Sequence, residues 1–357
     1  MKSANNIGFG IIGFGIIGLG MIAEFHAKAI ENIEGCKFVA GYDHTPAHSE
    51  SFCALHGGTP YTDLEKFLAD PDLDIVTIAT PSGFHLEGAV RAANAGKHII
   101  VEKPLEISTE RCDKIIEAAV KNNVRMCTVF PSRFHDSARL IKEAVRQGRL
   151  GKIVLADAQI KWYRSQEYYD SGGWRGTWKF DGGGVLMNQG IHAIDLLQWV
   201  MGDVSEVTAY TATLAHERIE VEDTAVAILK FSDGALGMIE GTTAAYPGFL
   251  KKLEICGSKG SVMMEEESIT KWEFSEPMPE DQKIRERFQN NTQTGGGAGD
   301  PKAISFEGHR KLFSAFVDAV IRNKPFDLEG NEGRKSVEII ENIYKSAKNG
   351  VSVKFRS

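Results

Sequence analysis

Residues 8–22 read GFGIIGFGIIGLGMI, which contains three overlapping copies of the pattern G-x-G-x-x-G/A. This pattern is typical of a tight turn between a strand and a helix, where the backbone approaches the pyrophosphate of a dinucleotide. Only one copy can occupy such a turn. The choice among the copies decides where the first strand ends, where the first helix begins and which residues face the ligand.

The first two copies fit the turn poorly. The copy that starts at Gly8 follows only a few residues that are suited to a buried strand. The copy that starts at Gly13 places Gly18 and Gly20 inside the following helix, where each glycine costs about 1 kcal/mol relative to alanine. If residues 11–17 form the strand instead, Gly13 and Gly15 are weak points within it.

The third copy has every element that the turn requires. Residues 11–17 supply an apolar strand, Gly18 and Gly20 form the turn, and Ala23 takes the third small position. Residues 21–31 then read as a helix whose N-terminus faces the phosphates. We therefore predict that the third copy binds the dinucleotide, and that Gly8 and Gly10 lie upstream without an assigned role.

An acidic residue follows the second predicted strand. Residues 38–42 are apolar and end at Asp43, where a carboxylate meets the ribose hydroxyls of NAD, so the sequence favours NAD over NADP. A glycine-rich strand without a ligand is the alternative.

A membrane segment is a further alternative for residues 7–25, because Glu24 is their only charge. Their six glycines argue against it. We also expect no signal peptide.

The whole chain has the composition of an ordinary globular protein. It has 357 residues, enough for two domains, and a formal charge of −7 without a basic run, which argues against nucleic acid as a partner. Its five cysteines are scattered and form no CxxC motif, so we expect reduced thiols in a cytoplasmic protein. We expect residues 292–300, which are rich in glycine, to form a mobile loop.

The order of the predicted elements changes along the chain. Up to residue 130, strands and helices alternate, which indicates a dinucleotide-binding α/β domain with a parallel, doubly wound sheet. Residues 131–357 are predicted to form an α+β domain with an open, mostly antiparallel sheet, and a packing of the C-terminal helices back on the first domain stays open. One helix near 184–201 interrupts this sheet, and helices near 308–322 and 333–348 close the chain. An open sheet needs a cover, so we expect a homodimer or homotetramer through its outer face.

Two short segments lie at the carboxyl ends of predicted parallel strands, where such sheets bind ligands. The first is Glu102-Lys103-Pro104, and its lysine is placed to hydrogen-bond a substrate hydroxyl and move a proton. The second, Thr80 to His85, has Pro81 to rigidify its turn and His85 within expected reach of the cofactor. A solvated lysine and an ordinary helix-start histidine are the alternatives.

Two features of the second domain predict substrate binding. In the helix near 184–201, Asn188, His192 and Asp195 share one face, and that face lacks the Lys, Glu or Arg of a solvated surface. His192 is the candidate general base. Residues 162–178 hold three of the five tryptophans with arginines between them, which suits a sugar and an anionic group, although packing is the alternative.

These residues together resemble the Gfo/Idh/MocA family of oxidoreductases over nearly the whole chain. The matching segments are Gly18-Leu19-Gly20 with Ala23, Thr80-Pro81 with His85, Glu102-Lys103-Pro104, residues 148–153, residues 188–195 and the helix after 332–334. The resemblance implies a Rossmann domain followed by an open-sheet domain. It also implies NAD(P)-dependent oxidation or reduction of a carbohydrate or cyclitol hydroxyl, with Lys103 and His192 as catalytic residues.

One position departs from the family pattern. Many members carry Asp four residues before the histidine, whereas this chain has Asn188, and an amide cannot take a proton. Asn188 is therefore predicted to bind substrate. The other predicted substrate contacts are Lys103, Tyr163, Arg164, Trp174, Arg175 and His192. The predicted cofactor contacts are Gly18, Gly20, Met21, Ile22, Asp43, His44, Thr80, Pro81, His85, Glu102 and Lys103.

The sequence thus predicts hydride transfer between NAD and a ring hydroxyl of a sugar, glycoside, sugar nucleotide or cyclitol. An NAD-dependent enzyme that cleaves glycosides through transient oxidation is one alternative, and a dinucleotide-binding regulator without catalysis is another. We predict no metal, because the spacing of Asp43, His44, His48 and His56 matches no standard site. Nucleic acid and membranes are not expected as partners.

Overall fold

The computed structural model describes residues 11–289 and 305–355. The first glycine copy, with Gly8 and Gly10, and the segment 292–300, predicted to be a mobile loop, lie outside these residues. The chain divides into two compact units, Met1–Pro131 with Ser305–Arg334 and Ser132–Ile304 with Lys335–Ser357. Among the described residues, no helix is both long and apolar enough to cross a membrane.

The described residues contain eleven α-helices and fourteen strands. The helices are α1 Met21–Glu31, α2 Pro46–His56, α3 Leu64–Leu68, α4 His85–Asn94, α5 Thr109–Lys121, α6 Asp136–Arg146, α7 Gln166–Asp170, α8 Ile191–Met201, α9 Pro279–Gln289, α10 Glu307–Arg322 and α11 Glu332–Asn349. The strands are β1 Ile12–Ile17, β2 Cys36–Tyr42, β3 Thr59–Tyr61, β4 Ile75–Ile78, β5 His98–Val101, β6 Met126–Thr128, β7 Ile153–Lys161, β8 Val204–Ala212, β9 Thr224–Phe231, β10 Leu236–Thr242, β11 Lys252–Gly257, β12 Gly260–Glu265, β13 Ser268–Phe274 and β14 Val353–Lys354.

The first unit is built on a six-stranded parallel sheet. Its strand order is β3-β2-β1-β4-β5-β6, which is the order of a doubly wound dinucleotide-binding fold. The parallel sheet that the sequence predicts is therefore confirmed. Helix α10 completes this unit from far along the chain, and its Phe313 stacks on Phe14 of β1 with 6.2 Å between ring centroids.

The glycines inside β1 have a packing role that the sequence did not reveal. A Cβ atom at Gly13 would lie 1.7 Å from the carbonyl oxygen of Asp72, and one at Gly15 would lie 2.6 Å from side-chain atoms of Phe67 and Leu73. Every residue of β1 is buried. Gly13 and Gly15 are thus the residues that allow neighbouring chain to pack closely against the central strand.

The second unit contains an eight-stranded sheet in the order β13-β12-β11-β7-β10-β9-β8-β14. All neighbouring strands are antiparallel except β7 and β10, which are parallel, so the predicted mostly antiparallel sheet is confirmed. Helix α8 covers one face of this sheet, where Ala156, Ala158 and Ile160 of β7 are fully buried. The opposite face exposes large apolar residues, including Tyr210, Val226, Ile228 and Leu236.

The predicted helix near 184–201 is two different helices in the structure. Residues Val185–Gly190 form a π-helix, and α8 begins at Ile191. The Glu222 carboxylate accepts hydrogen bonds from the backbone N–H groups of Gly184 at 2.9 Å and Leu186 at 3.0 Å. These N–H groups have no intrahelical acceptor at a helix start, so Glu222 satisfies them and fixes the first turn. Short π-helical segments are common at functional sites.

Glu222 is a buried residue of the second unit. Its carboxylate also accepts a hydrogen bond from the Tyr344 hydroxyl at 3.0 Å. Burial penalises the negative charge and raises the pKa of Glu222 to about 7, although these hydrogen bonds act in the opposite direction. This acid therefore changes its charge near neutral pH while it holds the segment that leads into α8.

Replacing Gly13 tests the close packing of β1. We expect Gly13→Ala to reduce the free energy of unfolding by about 1–3 kcal/mol or more, because the new methyl group overlaps the Asp72 carbonyl. Urea denaturation of the purified protein measures this change. Gly20→Ala is the matched control, since no atom lies within 4 Å of a Cβ atom at that position. Equal stability of the two variants would contradict the packing role of Gly13.

Glu222 should make stability fall with rising pH. Its folded-state pKa of about 7 exceeds its ordinary value of 4.5, so between these values the folded state keeps a proton that the unfolded state releases. The stabilisation is complete below pH 4.5 and is lost as pH rises through 7, an effect of about 3 kcal/mol. Denaturation of the wild type and Glu222→Gln at pH 5 and pH 8 measures it. A stability difference between the two proteins that is independent of pH would refute this assignment.

Candidate functional site

The glycine turn of the first unit is formed by the third copy of the motif. Gly18 has φ +89°, which favours glycine, and its N–H donates to the Tyr42 carbonyl at 3.0 Å. Gly20 precedes the first residue of α1, and a Cβ atom there would point into open space. The N–H of Ala23 bonds to the Gly20 carbonyl at 3.1 Å and begins the helix. The turn thus leaves room for a ligand at the N-terminus of α1.

A cleft of about 1050 Å³ lies over this turn within the first unit. Most of the predicted cofactor residues line it, namely Gly18, Gly20, Met21, Asp43, His44, Thr80 and Pro81. Ile22 is half-buried in α1 and is not among the lining residues. The cleft therefore brings together the glycine turn and the carboxyl ends of β2 and β4.

Asp43 lies at the end of β2 and reaches across to the glycine turn. Its carboxylate accepts hydrogen bonds from the backbone N–H of Thr45 at 2.9 Å and of Leu19 at 3.3 Å. The exposed rings of His44 and His48 approach the same carboxylate at 3.4 and 3.5 Å. A negative charge in this position accepts hydrogen bonds from ribose hydroxyls and repels a 2′-phosphate, which favours NAD.

Two observations show that the cleft suits a dinucleotide. The space beside Gly20 is open where a Cβ atom would project. At the end of β4, the buried Thr80 hydroxyl has no hydrogen-bond partner among the described residues. Buried hydroxyls are normally paired, so a bound molecule with polar groups would complete this one.

His85 and Glu102 do not line this cleft, although the sequence predicted both as cofactor contacts. His85 is 1% exposed, and its ring nitrogens lie 3.0 Å from the Thr80 carbonyl and 2.9 Å from the Pro104 carbonyl. Burial lowers the pKa of His85, while the nearby Glu106 carboxylate and the two carbonyls act in the opposite direction. His85 therefore ties together the loops that follow β4 and β5, beneath the residues that face the cleft.

Glu102 belongs to a buried triad with His26 of α1 and His309 of α10. Its Oε1 atom lies 2.9 Å from His26 Nε2 and 3.4 Å from His309 Nε2, and its Oε2 accepts the Lys103 N–H at 3.0 Å. Burial opposes the negative charge, but the two histidines outweigh it and hold the pKa of Glu102 well below its ordinary value. Burial lowers the pKa of His26.

The triad groups three side chains of metal-ligand type, with their ligand atoms within 4.8 Å of one another. Hydrogen bonds to Glu102 account for this arrangement. The sequence missed the triad because its members are far apart along the chain.

Two other predicted residues of the first unit lie outside the triad. His56, which the sequence grouped with Asp43, instead contacts Glu24 at 2.9 Å and Glu31 at 2.8 Å. Lys103 is half-buried directly after β5, and its backbone is held by Glu102.

In the second unit, Asn188 and His192 are half-buried in neighbouring helical turns. The Asn188 amide donates to both carboxylate oxygens of Asp181, at 2.9 and 3.1 Å. Asp195, which the sequence placed on the same face, is more deeply buried than these two residues. It is 1% exposed and forms an ion pair with buried Arg133, which offsets part of the cost of burying its charge.

In the aromatic segment of residues 162–178, two arginines pack against the same ring, that of Tyr168. The guanidinium groups of Arg164 and Arg175 lie 5.4 and 4.8 Å from the centre of the Tyr168 ring, and Arg175 also stacks on the half-buried Trp174. Tyr163 packs edge-on against Tyr246. The sequence missed the central position of Tyr168. Arg164 is 5% exposed, whereas Arg175 is half-buried and more accessible to an anion.

Both units match models of known protein families. Residues 12–130 match the model of an oxidoreductase family with an NAD-binding Rossmann fold, and residues 138–263 match the GFO/IDH/MocA C-terminal domain. Myo-inositol 2-dehydrogenase of Thermotoga maritima is 31% identical over 57% of this chain. This match spans 59% of that enzyme's length.

Two solved structures are similar over nearly the whole chain. The WlbA dehydrogenase of Bordetella pertussis, in complex with NADH and UDP-GlcNAcA, has a TM-score of 0.90 and 35% identity over 99% of this chain and 100% of that one. The Chromobacterium violaceum WlbA, with the same two ligands, has a TM-score of 0.87 and 34% identity over 99% and 98%. The chain therefore belongs to the Gfo/Idh/MocA oxidoreductase family, and its first unit is an NAD-binding Rossmann domain.

Proposed function

We propose that this protein is an NAD-dependent dehydrogenase that oxidises a ring hydroxyl of a UDP-linked, N-acetylated sugar acid such as UDP-GlcNAcA. The observation that carries the proposal is the full-length similarity to WlbA, which was solved with NADH and UDP-GlcNAcA. Such a substrate carries a carboxylate and two phosphates. Arg164 and Arg175 supply concentrated positive charge in a chain whose formal charge is −7.

The proposed reaction removes a proton and a hydride from one CH–OH group. Bound NAD⁺ supplies the hydride acceptor. His192 takes the hydroxyl proton as general base, since imidazole titrates near neutral pH. Lys103 donates a hydrogen bond to the same oxygen and stabilises the alkoxide that develops there. The buried triad holds Lys103 by its backbone, because Glu102 accepts the Lys103 N–H.

The cofactor site of this proposal consists of the glycine turn, Asp43 and the end of β4. The α1 N-terminus and the open side of Gly20 suit the pyrophosphate, while Asp43 suits the adenine ribose. Thr80 offers its hydroxyl to the bound dinucleotide.

Self-association through the apolar outer face of the eight-stranded sheet stays a prediction, and the exposed Ile228 and Tyr210 support it.

Catalytic substitutions test the reaction itself. With UDP-GlcNAcA and NAD⁺, we expect Lys103→Ala and His192→Ala each to lower kcat about 10²–10⁴-fold, the usual contribution of a general acid or base. Absorbance of NADH measures turnover, and product analysis shows whether a glycosidic bond is cleaved. Lys114→Ala removes an exposed lysine of α5 and serves as the control with unchanged turnover. Near-normal kcat in either catalytic variant would contradict the assigned roles.

Gly20→Ala tests the cofactor site independently of turnover. The new methyl group projects into the space assigned to the pyrophosphate, so we expect NADH affinity to fall about tenfold or more while stability is unchanged. Titration of NADH fluorescence measures the Kd. Gly173→Ala is the matched control, because its Cβ atom also meets open space but lies outside the dinucleotide cleft. Equal affinity in the two variants would place the pyrophosphate elsewhere.

A further inference from the structure

The amide of Asn188 is held by a buried acid from the preceding loop. Asp181 is 2% exposed, and its two carboxylate oxygens lie 2.9 and 3.1 Å from Asn188 Nδ2. Its Oδ2 atom also accepts the N–H of Gly176 at 3.0 Å. The backbone N–H of Asp181 in turn donates to the Thr177 carbonyl at 3.0 Å. Asp181 is thus fixed on both its main chain and its side chain.

This contact determines which end of the amide faces Asp181. An ionised carboxylate only accepts hydrogen bonds, so it pairs with the NH₂ end of Asn188 and repels the carbonyl end. Hydrogen bonds to a charged acceptor are stronger than neutral ones, which opposes rotation of the amide. The two polar ends of an amide point away from each other. Asn188 therefore presents its Oδ1 atom on the side away from Asp181.

We propose that Asp181 is a positioning residue that fixes Asn188 as a hydrogen-bond acceptor for the substrate. The group that Asn188 recognises is then a donor on the sugar, either a hydroxyl or the N–H of an acetamido group. This inference rests on the proposed function, because it takes Asn188 and His192 as residues that face the sugar. It adds a buried residue, Asp181, that the sequence did not single out.

The arrangement separates substrate recognition from proton transfer. The acceptor at Asn188 does not titrate, and the negative charge that orients it is buried at Asp181. A carboxylate at position 188 would face Asp181 across about the same distance, and two like charges so close share a proton. With the amide in place, proton transfer is left to His192, the residue proposed as general base.

Exchanging the two side chains tests the proposal. We expect Asp181→Asn to lower kcat/KM about tenfold, mainly through KM, because the amide at 188 loses its fixed orientation. Asn188→Asp should add a new ionisation to the pH profile of kcat/KM, with activity falling as the shared proton is lost. The double variant D181N/N188D pairs an amide with a carboxylate again. It should recover kcat/KM to within about threefold and lose the extra ionisation.

Steady-state kinetics from pH 5 to pH 9 with UDP-GlcNAcA, together with thermal unfolding, separate positioning from a structural role. If the single variants lose stability but keep the KM and pH profile of the wild type, the proposal is overturned. Failure of the double variant to recover kcat/KM while it folds normally would overturn it too. Glu286→Gln neutralises the carboxylate of an exposed amide–carboxylate pair with Gln282 in α9 and should change neither readout.

Failure of the proposed function gives a different result. The wild type would then oxidise no UDP-linked sugar acid, and the same variants would be measured with whichever sugar or inositol it does oxidise. If the wild type oxidises none of these, there is no sugar group from which Asn188 accepts a hydrogen bond, and both proposals fall. If the wild type is active and Asp181→Asn is indistinguishable from it, only the role of Asp181 falls.

Discussion

The backbone of β1 lies so close to its neighbours that no side chain fits at Gly13 or Gly15. The rest of the first unit depends on this close approach. It sets β1 at the centre of the parallel sheet and brings the glycine turn to the carboxyl edge of that sheet. At Gly18 the positive φ turns the chain, and Gly20 leaves open space before α1 begins. One run of glycines thus serves packing first, then chain reversal, then access for a ligand.

Buried acids position the residues to which we assign function in both units. Glu102 accepts the N–H of Lys103, and Asp181 accepts the side-chain amide of Asn188. Glu222 accepts two N–H groups at the start of the π-helix. Each carboxylate is almost fully enclosed, so losing a donor would leave part of a charge unsatisfied and would be costly. The site residues are therefore oriented by groups that do not themselves face solvent.

The sequence predicted most of the fold because its signals were local. The third glycine copy, the apolar strands and the first helix follow from neighbouring residues, and α1 begins and ends where the sequence placed it. The π-helix was missed because it depends on Glu222, which lies far along the chain. The same limit applies to His309 and to the Asp195–Arg133 ion pair, whose partners are remote in sequence. Short-range patterns show that a side chain is polar, but they do not show which partner it meets.

Helix α10 also has a consequence for how the chain is made. The first unit needs Phe313 and His309, yet residues 132–304 belong to the other unit and are synthesised before them. At the usual speed of synthesis this interval is on the order of ten seconds or more. Throughout that time Glu102 lacks one of its two histidines, and the face of β1 that Phe313 covers has no cover. The first unit thus completes its packing only after most of the second unit has been synthesised, and transiently exposed apolar surface of this kind favours aggregation.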